Sequence, residues 1–103
     1  MQELLLNDDL MEWVSQGKKH GTSRLRRRDI QLGPLKLKAT NGTVPDIEVK
    51  VKSVMYCRLT DVPREVIKSE GYDTYGQLFA SLRRFYPDVQ PEDEMTLIEW
   101  SNK

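Results

Sequence analysis

Gly17-Lys18-Lys19-His20-Gly21-Thr22-Ser23-Arg24 is the stretch on which the reading of this chain turns. It spells G-x-K-x-x-T-x-R and lies between two different periodicities. Upstream, Leu10, Trp13 and Val14 recur at i, i+3 and i+4, one face of a helix over residues 8–16. Asn7, Asp8 and Asp9 offer N-caps, Asp9 and Glu12 have capping-box spacing, and Gly17 falls where a helix is stopped. Downstream, residues 22–28 alternate as a strand, with Thr22, Arg24, Arg26 and Arg28 on one face and Ser23, Leu25 and Arg27 on the other. Thr22 and Arg24 then point the same way, roughly 7 Å apart. An amine, a hydroxyl and a guanidinium meet at the mouth of a strand, a set able to bind an anion or to carry out acyl chemistry.

The remaining elements read outward from there. Residues 3–6 form a short apolar first strand. Leu35 to Ala39 alternates after the Gly33-Pro34 turn, and Asn41-Gly42 signals a hairpin. Ile47, Val49 and Val51 alternate with Glu48, Lys50 and Lys52, and the phase changes at Ser53-Val54, which predicts a bulge in a strand that continues to about Leu59. Pro63 opens a helix that ends at Glu70-Gly71. Thr74 and Gln77 make a capping box for a second one, whose apolar face is Leu78, Phe79, Leu82, Phe85 and Tyr86, with Pro87 as its stop. Met95 to Trp100 is a last strand. The order β-α-β-β-β-α-α-β closes most economically into a small barrel flanked by helices, an α+β fold. Trp13, Phe79, Phe85 and Trp100 are expected in the core.

At 103 residues one domain, residues 1–103, is expected. Sixteen Lys+Arg balance sixteen Asp+Glu, so net charge argues neither for nor against nucleic acid. The distribution says more: positions 17–28 carry Lys18, Lys19, Arg24, Arg26, Arg27 and Arg28 with no acid, while Asp88, Glu92, Asp93, Glu94 and Glu99 cluster near the end. Such a basic cluster suits an anionic ligand at one place, or guards a strand edge. Cys57, the sole cysteine, lies in an apolar run and reads as a small core residue; no internal disulfide is possible. His20 stands alone, so no metal ligand set and no cofactor is expected. No apolar run has membrane-spanning length and no leader is read, so a cytoplasmic monomer without membrane attachment is the expectation.

The octet, with Gly17, Lys19, Thr22 and Arg24 at all four fixed positions, resembles the signature of the ASCH domain family, a branch of the PUA-like superfamily. Leu59-Thr60-Asp61-Val62 with Glu70-Gly71-Tyr72 looks like that family's second block. The helix ending in Tyr86-Pro87 and the strand Met95-Thr96-Leu97-Ile98-Glu99-Trp100 look like its third. One departure is Pro34 after Gly33, where the family usually has an acid. The resemblance implies a PUA-like barrel of about five to six strands with two to three flanking helices, and RNA binding in a cleft beside the octet. It is similar, further, to a small bacterial branch that hydrolyses N4-acetylcytidine, and this implies Lys19, Thr22 and Glu70 as catalytic residues. Gly17, Arg24, Arg26 and Tyr72 are then the contacts to a modified nucleoside or RNA.

The residues suit that chemistry. A Thr hydroxyl needs a base, and the Lys19 amine three residues away serves as one if burial and a neighbouring cation such as Arg24 keep it neutral. Arg24 or turn N–H groups can hold an oxyanion, and Glu70 can move a proton. Other readings stay open at this point: Lys19 and Arg24 as ion-pair partners that pin Glu70 to the barrel, a non-catalytic RNA-binding module, or a protein-interaction domain.

Overall fold

A computed structural model gives the structure, which describes residues 1–101. The element order is β1 (Gln2–Leu6), α1 (Asp8–Ser15), β2 (Gly21–Leu25), β3 (Gly33–Ala39), β4 (Ile47–Arg58), a 3₁₀ turn (Leu59–Asp61), α2 (Arg64–Ser69), α3 (Tyr75–Phe85) and β5 (Glu94–Ser101). The five strands form one sheet in the order β1-β3-β4-β5-β2. Only β1 and β3 run parallel; the other neighbours are antiparallel. The sheet curls into a half-barrel whose edge strands, β1 and β2, face each other without pairing. A side chain links them: Arg24 Nη2 donates to the Leu5 carbonyl at 2.6 Å.

The alternation of β5 divides the interior. Ile98 and Trp100 point into one core with Met11 and Val14 of α1 and with Leu35, Leu37, Val49 and Val51. Met95 and Leu97 point to the other side, where Val66 and Ile67 of α2 and Leu78 and Leu82 of α3 cover them. Both faces of β5, an interior strand, are therefore dry. Cys57 lies half-buried against the second core, in the packing role its sequence context predicts.

The sequence expectations hold for the order and kind of elements and fail at particular edges. The predicted bulge is present, one or two residues early: Val51 pairs with Trp100 and Ser53 with Glu99, so Lys52 is the extra residue. Pro34 lies inside β3 rather than in a turn, which is tolerated because β1 begins its pairing one residue later, at Leu35. In α1 the Asp9–Glu12 box does not form; Asp9 Oδ1 accepts instead from the Leu10 N–H, at 3.0 Å. The Thr74–Gln77 box does form at the start of α3. Phe85 is 39% exposed, not core, because it comes on the last turn of α3 at a cavity rim.

The largest departure concerns β2, which ends at Leu25 rather than Arg28. Arg26 takes a left-handed φ of 68°. Thr96, wholly buried on β5, holds the turn: its hydroxyl donates to the Arg26 carbonyl at 2.7 Å and accepts from the Arg28 N–H at 2.8 Å. Arg26 and Arg28 consequently leave the strand face that carries Thr22 and Arg24.

Two glycines fix the turns on either side of the site. Gly71 has φ +100°, and a Cβ there would come within 2.7 Å of the Trp13 ring. Gly17 has φ +77° with open space around it. Gly71→Ala is therefore expected to cost about 2–4 kcal/mol, from left-handed strain plus overpacking, and Gly17→Ala only about 1 kcal/mol. Urea unfolding of the two variants checks this; equal losses would contradict the packing described.

Candidate functional site

A cavity of about 170 Å³ opens between the octet, the end of β1, the segment that follows α2 and the face of α3. Lys19, Thr22, Ser23 and Arg24 form one wall; Glu70 and Tyr72, which follow α2, form another; Leu10, Leu78 and Leu82 supply an apolar floor. Local sequence explains the convergence. Gly17 ends α1 in a left-handed turn, and the His20 N–H then donates to the Ser69 carbonyl at 2.5 Å, tying the octet to the end of α2. Gly21 allows the octet to lie close to both neighbours: a Cβ on it would meet Ser69 Oγ of α2 at 3.2 Å and the Ile98 carbonyl of β5 at 2.8 Å. Glu70 is the C-cap of α2, and Gly71 turns the chain so that Tyr72 faces back to the cavity.

Lys19 and Glu70 are buried, 1% and 2% exposed. They do not make a carboxylate ion pair within 4 Å. The Lys19 ammonium donates to the Glu70 backbone carbonyl at 3.3 Å and lies 5.8 Å from the Tyr72 ring centre. Arg24 reaches Leu5 instead, so the ion pair weighed for Lys19, Arg24 and Glu70 is not how the helix is held. Burial lowers the Lys19 pKa to about 8; nearby Glu70 opposes that shift and Arg24 adds to it. Burial likewise raises the Glu70 carboxyl above its ordinary range, against the pull of Lys19, Ser23 and Arg24. Both groups are thus driven toward their neutral forms.

Around this pair, polar groups are unevenly satisfied. The Ser23 hydroxyl donates to Glu70 Oε2 at 2.5 Å. Tyr72 Oη donates to Ser81 Oγ at 2.5 Å, and the Tyr72 ring meets Trp13 edge-on at 5.6 Å. The Thr22 hydroxyl has no hydrogen-bond partner among the described residues, although Thr22 is only 6% exposed. Arg24 Nε is also buried without an acceptor. The Thr22 hydroxyl, on the cavity wall, is left open for a ligand.

Of the residues singled out in the sequence, Lys19, Thr22, Arg24, Glu70 and Tyr72 come together. Gly17 does not line the cavity; it is an exposed helix stop. Arg26 does not line it either. The turn held by Thr96 sends it to a separate shallow depression beside Asp88 and Asp93. His20 points back along its own turn, its Nε2 2.8 Å from the Gly17 carbonyl. Ser23 is the residue that the sequence reading passed over: strict alternation puts it on the face opposite Thr22, but β2 is an edge strand and the cavity wraps its edge. Its place between Thr22 and Arg24 was the available signal. Among the described residues no three His, Cys, Asp or Glu side chains are grouped to hold a metal, and no helix is long and apolar enough to cross a membrane.

No protein-family model matches the sequence, and no curated protein matches it. Solved structures are similar in fold. An ASCH domain from Lactobacillus crispatus superposes with a TM-score of 0.79 at 13% identity, over 97% of this chain and 79% of that one. A protein of the DUF984 family from Enterococcus faecalis gives 0.79 at 11% identity, over 98% and 75%. A hypothetical protein gives 0.65 at 21% identity, over 96% and 97%. The fold that the octet led us to expect is the fold observed: the chain has the architecture of an ASCH domain, a curled five-stranded sheet with three α-helices.

Proposed function

We propose that the chain is an amidohydrolase that removes the acyl group from an N4-acylated cytidine-type nucleoside, with Thr22 as nucleophile and Lys19 and Glu70 as proton carriers. The observation that carries this reading is the shared cavity: an unpartnered Thr22 hydroxyl, a buried lysine of lowered pKa and a buried carboxyl of raised pKa all line it. Perturbed acid and base together in one cleft mark sites of proton transfer. An apolar void of about 150 Å³ accepts a benzene molecule, so this cavity has room for one ring of nucleobase size.

In this reading neutral Lys19 takes the proton from the Thr22 hydroxyl as Oγ1 attacks the acyl carbonyl carbon. The negative charge that forms on the carbonyl oxygen is met by the Arg24 guanidinium on the cavity wall. The C–N bond breaks as the leaving N4 takes a proton from the Glu70 carboxyl, which frees the amino group of cytidine. Water then attacks the Thr22 ester and gives up a proton to the Glu70 carboxylate. The acyl group leaves as a carboxylic acid, and the Lys19 ammonium returns a proton to Thr22 Oγ1. Tyr72 offers a ring face against which a base can lie.

Incubation with N4-acetylcytidine is expected to release cytidine and acetate. Lys19→Ala, Thr22→Ala and Glu70→Ala should each lower kcat/KM by about 100-fold or more with far-UV circular dichroism unchanged. No release above background from a folded parent protein would sink the reading. Salt-dependent affinity for RNA would in that case favour a binding module, with exposed Arg26, Arg27 and Arg28 as its phosphate contacts.

The pH profile is a separate test. With neutral Lys19 as base, kcat/KM is expected to rise with pH through about 8. Arg24 is a cation that helps to hold the Lys19 pKa down, so Arg24→Gln should move that rise to higher pH as well as lowering the rate. A rise at unchanged pH in Arg24→Gln would remove Arg24 from this role.

A further inference from the structure

Glu70 is held by a residue that the proposed chemistry has not yet used. Ser23 is 4% exposed, and its hydroxyl lies 2.5 Å from Glu70 Oε2. It follows Thr22 on β2, where Thr22 pairs with Ile98 and Ser23 with Leu97 of the dry interior strand β5. A buried position facing a helix end would accept an apolar β-branched side chain without loss. A hydroxyl there, aimed at a buried carboxyl, has a specific consequence. A hydrogen bond donated to Oε2 makes that oxygen an acceptor, so the exchangeable proton of the acid belongs on Oε1. No side chain donates to Oε1 among the described residues, the Ser23 backbone N–H adds to the hold on the carboxylate, and Glu70 lines the cavity.

We propose that Ser23 is a positioning residue for Glu70: it commits Oε2 to the strand and leaves Oε1 as the oxygen that exchanges a proton with the ligand. This rests on the hydrolase reading for the ligand's identity, but the Ser23–Glu70 link can be measured without turnover. The two residues side by side on one strand then carry the nucleophile and the holder of the proton donor, so the rigid β5 pairing fixes both at once. The charged and titratable groups facing Glu70 are Lys19 and Arg24 from the octet and Tyr72 from beyond α2. Ser23 is the neutral member of that set, acting through its hydroxyl and its backbone N–H. Removing the hydroxyl leaves the backbone contact and the three other groups in place, so the effect of the side chain is separable.

The test compares Ser23→Val with Ser23→Thr, two β-branched side chains of one shape, only one of which has the hydroxyl. Ser23→Ala is added in case the larger side chains overpack the site. Each variant is assayed for cytidine release from N4-acetylcytidine, with kcat and KM separated, and the Glu70 side-chain carboxyl is titrated by carbon-13 NMR. The expected result for Val and Ala is a fall in kcat of roughly tenfold to a hundredfold with KM within about threefold, the loss of one hydrogen bond to an ionisable group. The Glu70 titration should move to higher pH, since a donor to the charged form has gone. Ser23→Thr should restore both. Wild-type kcat and an unmoved Glu70 titration in Ser23→Val and Ser23→Ala would overturn the assignment, as would a loss that Thr does not rescue. If the parent protein releases no cytidine, the hydrolase reading has failed on its own account, and an unmoved Glu70 titration in Ser23→Ala would overturn the Ser23 assignment independently.

Discussion

An amine and a carboxyl buried within reach of each other set the terms for everything around them. Lys19 and Glu70 are both almost inaccessible, yet no close ion pair joins them. Two such charges are costly to remove from water, and direct pairing is the usual compensation. Here the compensation is divided: Lys19 takes a backbone carbonyl and a place near an aromatic ring, and Glu70 takes the Ser23 hydroxyl. The remaining cost appears as displaced pKa values in opposite directions, which bring the acid and the base toward each other. A hydrophobic pair in these positions would serve the fold better. Polar groups kept inside at a cost to stability are a mark of function.

The half-barrel is built so that this arrangement can exist. A fully closed sheet would bury the octet; an open one would flood it. The edges β1 and β2 approach without pairing, and Arg24 spans the gap to Leu5. The same guanidinium acts on Lys19 from the cavity wall. One residue thereby connects the closure of the sheet to the electrostatics of the site. On the other flank, the contact from His20 to Ser69 and the close approach allowed by Gly21 clamp the octet to α2. The cavity is thus walled by stretches from several parts of the chain, with the octet and the end of α2 tied by a backbone contact.

Much of this was legible in the residues. Helical spacing in Leu10-Trp13-Val14 and in Leu78-Leu82, alternation in Leu35–Ala39 and Ile47–Val51, and the glycine stops gave the elements in their observed order. The octet gave Lys19, Thr22 and Arg24, and resemblance to a known family added Glu70 and Tyr72. What escaped were effects of tertiary contact. The end of β2 depends on Thr96, 70 residues beyond Arg26, whose hydroxyl stabilises a left-handed turn that alternation cannot foresee. Ser23 was assigned to the far face because the rule of alternation holds for a flat strand within a sheet, and not for a cavity that wraps a strand edge. Phe85 fits the apolar stripe of α3 but comes where the helix leaves the core. The parallel pairing of β1 with β3 carries no local signal.

The central claim is that burial makes Lys19 a base near neutral pH. It is tested most directly by NMR titration of the Lys19 side-chain amine in the unmodified protein, assigned by its loss in Lys19→Ala. The account predicts a midpoint at about 8, lowered by desolvation and by Arg24. A midpoint in the ordinary lysine range, near 10.5, would contradict it: Lys19 would then be a plain cation across the physiological range, and the site an anion-binding pocket rather than a catalytic one.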